Sequence, residues 1–162
     1  PKTIKPLQNK SIPLYVKCFV NPSLPGSVIK ESISKPIEVP ILILKKNQTL
    51  LSIKPKDYSF ILEERMAEIF AIMERRRAKV HLVQNSAISM ALCIDSSRYL
   101  EEIVADLHES GFEVKYNTEM ELLTIRGYTA EDLHRFAEDE SVYMTQRSRK
   151  VVRILSKKKA FD

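Results

Sequence analysis

From residue 41 onward, apolar residues recur with the spacing of regular secondary structure. Leu62, Met66, Ile69, Phe70 and Met73 share one face of a helix whose other face is charged. This spacing predicts an amphipathic helix, with Asp57 or Ser59 as its N-cap. A second helical stripe consists of Leu100, Ile103, Val104 and Leu107. We expect the segment 95–97 to cap this second helix and Gly111 to end it in a left-handed conformation.

Short apolar runs before, between and after these helices predict strands at residues 48–53, 79–83, 89–94 and 112–116. The order is strand, helix, strand, strand, helix, strand. With right-handed crossovers, this order predicts an α+β, ferredoxin-like fold: a four-stranded antiparallel sheet with both helices on one face.

A shorter cycle begins near residue 120. It consists of a strand at 122–125, a helix opened by the pair Thr129 and Asp132, and strands at 141–146 and 150–155. The pattern ends without a second helix or a fourth strand. It therefore predicts a second, truncated βαββ unit.

The first 40 residues differ in character, because they contain seven of the eight prolines. Proline lacks an amide donor and fixes φ, so we expect no helical domain here. The pattern predicts a strand at 12–20, an extended piece at 28–29 and a linker at 33–40. This segment buries too little to fold alone.

Composition narrows the class of protein. The chain has 162 residues, of which 44% are hydrophobic and 29% are charged, as is typical of a globular protein. Gly26, Gly111 and Gly127 stand alone, which argues against a complete nucleotide-binding enzyme because a glycine-rich phosphate loop is absent. The net charge of +5 comes largely from residues 75–77 and 157–159, which we interpret as a helix end and a solvated tail rather than a phosphate-binding surface.

The two cysteines, Cys18 and Cys93, lie far apart in apolar runs. We expect both to be buried, reduced thiols in a cytoplasmic protein, with a disulfide or a metal site as the alternative. His108 and His134 are predicted on helix surfaces, and no two histidines have metal-ligand spacing.

Three stretches carry a resemblance to a known family. They are residues 46–53 (KNQTLLSI), 83–89 (VQNSAIS), and 11–22 with 25–29 (SIPLYVKCFVNP and PGSVI). In this order they resemble the aspartate kinases (aspartokinases), specifically the C-terminal regulatory region of ACT domains. The resemblance implies that residues 1–40 are the tail of an amino-acid-kinase catalytic domain with its linker, 41–119 an ACT domain, and 120–162 a partial second ACT-like repeat with a basic tail.

The resemblance also implies a regulatory fragment that transfers no phosphoryl group itself. The parent enzyme would convert ATP and aspartate to aspartyl phosphate with Mg²⁺, while this fragment needs no cofactor and holds no metal. The family's ACT domains pair side by side into a homodimer. They bind an end-product amino acid, lysine or threonine, and signal to the catalytic domain of the same chain.

By this resemblance, the effector lies between the loop after the first strand, the start of the first helix and the second strand of a partner. The implied effector residues are Ser59, Phe60, Ile61, Leu62, Met66, Val80, His81, Gln84, Asn85, Ser86, Ala87 and Ile88. Asn85 and Gln84 are the preferred contacts, because amides both donate and accept. The alternative is that both stabilise a turn. His81 stands where lysine-sensitive relatives often have Asp, and Ala87 where some have Glu. Lysine, threonine, another amino acid or lost sensitivity therefore all stay open, and His81 can equally be an ordinary strand residue on an exposed face.

Three other functions fit parts of the pattern. A ferredoxin-like RNA-binding domain has the same element order, but the strands at 80–83 and 89–94, taken as central, lack the aromatic residues that stack on bases. A stand-alone metal or small-molecule sensor lacks a ligand cluster. A complete enzyme would use Asp57, Glu63 and Glu64 as carboxylate catalysts, but Glu63 and Glu64 are more simply acidic residues of a first helical turn, where the helix dipole favours them.

Overall fold

A computed structural model describes residues 2–31, 39–138 and 140–157. The chain divides into two compact units with the boundary after residue 38. Most of the predicted linker and the last two lysines of the 157–159 run lie outside the described residues. The described helices include none long and apolar enough to cross a membrane.

The first unit contains a short helix and a two-stranded sheet. Helix α1 (Ile4–Asn9) precedes β1 (Leu14–Val16), which pairs antiparallel with β2 (Ser27–Ile29). The sequence pattern does not predict α1, because the many prolines of this segment disfavour regular structure. Pro6 lies in the first turn of α1, where a missing amide costs no helical hydrogen bond. The strand predicted at 12–20 is only three residues long.

The described residues of the second unit, 39–138 and 140–157, form nine helices and strands. They are β3 (Ile41–Pro55), α2 (Glu63–Arg75), β4 (Val80–Asn85), β5 (Met90–Asp95), α3 (Leu100–Glu109), β6 (Phe112–Arg126), α4 (Ala130–Ala137), β7 (Val142–Arg147) and β8 (Val151–Ser156). The six strands form one antiparallel sheet in the order β4-β5-β3-β6-β8-β7.

The first half of this sheet confirms the ferredoxin-like prediction. Its order, β4-β5-β3-β6, places the first and third strands of the βαββαβ unit at the centre. Helices α2 and α3 pack on one face, where Ile69 and Leu107 join Leu51, Leu92 and Phe112 in a fully buried core. The central strands are therefore β3 and β5, and the prediction that β4 is central was wrong.

The second half completes the truncated repeat in an unexpected way. Residues Ile41 to Lys45 of β3 pair with Arg126 to Leu122 of β6. The N-terminal half of β3 thus supplies the fourth strand, and it comes from before the first repeat in sequence. Both long strands change register near Asn47 and Glu119, which have φ of 53° and 58°. Bulges of this kind bend a strand, and they let β3 and β6 serve both halves. The predicted boundary at 119/120 falls inside β6.

The faces of the two half-sheets that carry no helix pack against each other. A second core cluster there consists of Leu50, Leu82, Cys93, Met120, Leu122, Met144 and Leu155. Across the same contact, Arg153 Nη1 donates to the His81 carbonyl oxygen at 3.3 Å. Helices α2 and α3 therefore cover one outer side of the unit, while α4 covers the other through Leu133 and Phe136.

The predicted helix ends are partly confirmed. Thr129 and Asp132 form the capping box of α4, and Gly111 takes φ of +83°. The N-cap of α2 is Leu62, so the Asp57 or Ser59 cap was wrong. Asp57 Oδ1 instead accepts the Ser59 amide at 3.1 Å, closing a local turn before the helix. Likewise α3 begins after Tyr99 rather than at 95–97.

The prediction for the cysteines is half right. Cys93 is fully buried, but Cys18 is exposed. Cys18 follows the short strand β1 in the small first unit, whose described part has no buried residue to cover it. Both cysteines are free thiols.

Candidate functional site

The start of α2 and the turn between β4 and β5 lie side by side within one chain. The Ile61 amide donates to the Ala87 carbonyl oxygen at 2.8 Å. The Asn85 side chain contacts Met66, with Nδ2 at 3.5 Å from Sδ. The start of α2 therefore lies beside residues 85–88 of the same chain, whereas the resemblance implies the strand of a partner. We call this surface, residues 59–66 with residues 85–88, the helix–turn site.

Hydrogen bonds between two serines hold the turn. The Ser86 amide donates to the Ser89 carbonyl oxygen at 2.8 Å, and the two hydroxyl oxygens are 2.8 Å apart. Ser86 Oγ also accepts the Ser89 amide at 3.1 Å. Ser86 thus stabilises the turn, which leaves Asn85, Ala87 and Ile88 as its outward side chains.

The helix end at this site has no side-chain cap. The first helical hydrogen bond runs from the Met66 amide to the Leu62 carbonyl oxygen at 3.0 Å, so the amides before Met66 point out of the helix. Such amides and the helix dipole favour a negative group. The nearby Asp57 does not fill this position, because the Ser59 hydroxyl and amide hold it and lower the pKa of its carboxyl group.

Apolar side chains surround this polar end. Phe60 and Leu62 are each 61% exposed, and Ile88 is 56% exposed. Ile61 between them is buried, and Ser59 and Met66 are half-buried. The helix–turn site is therefore a partly apolar surface with polar backbone groups in its middle.

The structure separates Gln84 and His81 from the other predicted residues. Val83 packs in the core beneath α2 and Asn85 contacts Met66, so the side chain of Gln84 between them lies on the opposite face of the sheet. Val80 also packs beneath the helices. A register shift between Val80 and Leu82 places Leu82 in the core between the half-sheets.

His81 belongs to a polar cluster that the sequence analysis missed. Its Nε2 lies 2.7 Å from Asp95 Oδ1 and 3.2 Å from Lys45 Nζ. Gln48, 2% exposed, donates to the same Asp95 oxygen at 3.0 Å. Burial raises the pKa of Asp95, but hydrogen bonds from Gln48 and His81 outweigh it and the net pKa is lowered. The sequence does contain a signal for this cluster: polar Gln48 stands at the start of one apolar strand segment and Asp95 at the end of another.

Two further features bear on partners. Strand β4 is an edge of the sheet among the described residues, since it pairs with β5 alone. The central strands β3 and β5 contain no aromatic residue, and the face that would carry one is packed between the half-sheets. The RNA-binding alternative therefore has no stacking surface on this face.

In the described part of the chain, no three His, Cys, Asp or Glu side chains are grouped to hold a metal.

Comparison with known proteins identifies relatives by sequence. No family model matches the sequence. The chain is 30% identical over 124 residues to aspartokinase 3, chloroplastic, of Arabidopsis thaliana, which covers 67% of this chain and 21% of that protein. It is also 30% identical over 99 residues to the lysine-sensitive aspartokinase 3 of Escherichia coli K12, covering 60% and 21%. The chain thus spans about a fifth of the length of these relatives.

Solved structures agree in fold. Escherichia coli aspartokinase III in complex with lysine and aspartate superposes with a TM-score of 0.74 at 22% identity, over 96% of this chain and 38% of that one. The regulatory subunit of aspartate kinase from Thermus thermophilus gives a TM-score of 0.54 at 14% identity, over 71% and 85%. In both sequence and fold, the chain therefore matches the C-terminal regulatory ACT-domain region of the aspartokinases.

Proposed function

We propose that this chain is the allosteric region of an aspartokinase and binds a free amino acid at the helix–turn site. The observation that carries the proposal is the direct contact between the α2 start and the β4–β5 turn, joined by the Ile61 to Ala87 hydrogen bond. A ligand seated there touches both elements at once. The lysine held by the E. coli relative supports an amino acid as the class of ligand.

The chemistry of the site suits a zwitterion. The α-carboxylate would lie at the uncapped end of α2, where the amides before Met66 donate. The α-ammonium needs acceptors, which the Asn85 side-chain oxygen and the turn carbonyls supply. Asn85 is exposed and its amide nitrogen already faces Met66, so its oxygen is available to a ligand.

A second copy of the chain would extend the sheet at β4. An unpaired edge strand exposes amide and carbonyl groups, and pairing two such edges across a two-fold axis satisfies them. The two helix–turn sites would then lie at the seam. In the complete protein, this dimer would control a catalytic domain that phosphorylates aspartate with ATP and Mg²⁺. Occupancy of the sites would shift the population of dimer states.

Isothermal titration calorimetry of the purified chain with L-lysine, L-threonine, L-methionine and L-leucine tests this function. We expect at least one of them to bind, and Asn85→Ala to weaken that binding about tenfold through loss of a hydrogen bond to a charged group. Gln84→Ala is the matched control, because Gln84 is next to Asn85 in the sequence but its side chain faces away from α2. No heat from any amino acid, or equal loss in both variants, would contradict the proposal.

A further inference from the structure

We propose that the effector of the helix–turn site has an uncharged, largely apolar side chain, of the size of leucine or methionine. This inference rests on the proposed function, because it takes an amino acid as the ligand and asks which kind. The observation behind it is the juxtaposition, at this site, of two uncharged segments with three exposed apolar side chains.

The proposal is supported first by the absence of charged side chains from the two segments, 58–62 and 84–89, that meet at the site. Residues 58–62 are Tyr, Ser, Phe, Ile and Leu, and residues 84–89 are Gln, Asn, Ser, Ala, Ile and Ser. Neither segment carries a charged side chain. His81 is turned to the other face of β4, where Asp95 and Lys45 hold its ring. The β4–β5 turn thus offers no carboxylate to an ammonium group on the effector's side chain.

The carboxylates that flank residues 58–62 in the sequence do not replace it. Asp57 Oδ1 is bound to the Ser59 amide. Glu63 and Glu64 stand exposed on the first turn of α2, where water and salt weaken an ion pair. A lysine side chain would therefore lose hydration beside apolar groups and gain a poorly fixed partner.

The proposal is supported secondly by the exposed apolar side chains around the site, which can bury the side chain of an apolar effector. Phe60, Leu62 and Ile88 are 61%, 61% and 56% exposed, and the Ile61 to Ala87 hydrogen bond fixes their segments next to each other. An aliphatic side chain laid against them removes apolar area from water on both sides. The backbone amides bind any α-carboxylate, so this surface distinguishes between amino acids.

Calorimetric titration with L-leucine, L-methionine and L-lysine tests the inference. We expect leucine or methionine to bind at least about tenfold more tightly than lysine, since burial of two or three methylene groups corresponds to such a factor. If lysine binds as tightly as both, the inference is wrong and the proposed function stands. If none of the three binds and threonine does not either, the proposed function fails as well.

Variants localise the effect. Ile88→Ser should weaken leucine binding about fivefold, while Ala87→Glu should lower the leucine to lysine ratio by adding a carboxylate to the turn. Tyr143→Ser on β7 is the control, because Tyr143 is 49% exposed and lies on the opposite edge of the sheet. Size-exclusion chromatography accompanies each variant. If Ile88→Ser changes the oligomeric state and no amino acid binds, the surface is a contact between copies and the inference is overturned.

Discussion

At the scale of single residues, the polar groups of this chain divide into those that hold the fold and those left for a ligand. Asp106 belongs to the first kind: Arg76 binds it through Nε at 2.6 Å and Nη2 at 2.8 Å, and Arg75 Nη2 binds it at 3.0 Å. This clamp joins the end of α2 to α3. The two arginines hold the pKa of Asp106 well below its usual range.

Asp106→Asn should destabilise the fold at neutral pH and matter less in acid. A lowered pKa contributes stability that is present above the unfolded pKa of about 4 and is lost as pH falls toward the folded pKa. The gap between the melting temperatures of wild type and variant should therefore shrink from pH 6 to pH 3. Glu113→Gln, an exposed carboxylate 4.0 Å from Lys115, is the control. A gap that is constant with pH would show that the clamp has no charged character.

The two thiols should differ in reactivity. Burial raises the pKa of Cys93 to about 12, and only the thiolate reacts readily. Exposed Cys18 should react with a disulfide reagent at pH 8 within minutes, and Cys93 only after unfolding in guanidinium chloride. Cys18→Ser should abolish the native reaction. Two fast thiols in the folded wild type would contradict the burial of Cys93.

At the scale of elements, α2 depends on one buried stripe. Ile69 is fully buried, and Phe70 beside it is 40% exposed. Ile69→Ala should therefore cost about 2–5 kcal/mol of the free energy of unfolding, and Phe70→Ala clearly less. Denaturant unfolding followed by circular dichroism measures both. Equal losses would mean that α2 does not pack as described.

The elements also show what the sequence could predict. Helices α2 and α3 were predictable because their apolar stripes continue over several turns. The full length of β3 was not, since polar Lys45, Lys46 and Asn47 interrupt its apolar pattern at the bulge. A similar irregularity in β4 made it impossible to predict which of the proposed site residues share a face. Strict alternation from Val80 would place Val83 and Asn85 on the same face as His81. The register shift before Leu82 reverses this, and no residue type in the sequence signals it.

At the scale of the whole molecule, the two halves of the second unit share β3, β6 and a common core, so we expect them to unfold together. Leu82 on β4 is 1% exposed and packs in the same cluster as Met144 on β7. Leu82→Ala should cost about 2–5 kcal/mol and reduce hydrogen-exchange protection in β7 and β8 as well as in β4. Reduced protection confined to β4 and β5 would show that the halves are independent.

The account as a whole depends on an amino acid binding where α2 begins and the β4–β5 turn closes. The most direct measurement is amide chemical-shift mapping of the isotope-labelled chain during titration with L-leucine, L-methionine, L-threonine and L-lysine. We predict saturable shifts concentrated in residues 59–66 and 85–88 with at least one of them. Shifts confined to other parts of the chain, or none at millimolar concentration, would contradict the account.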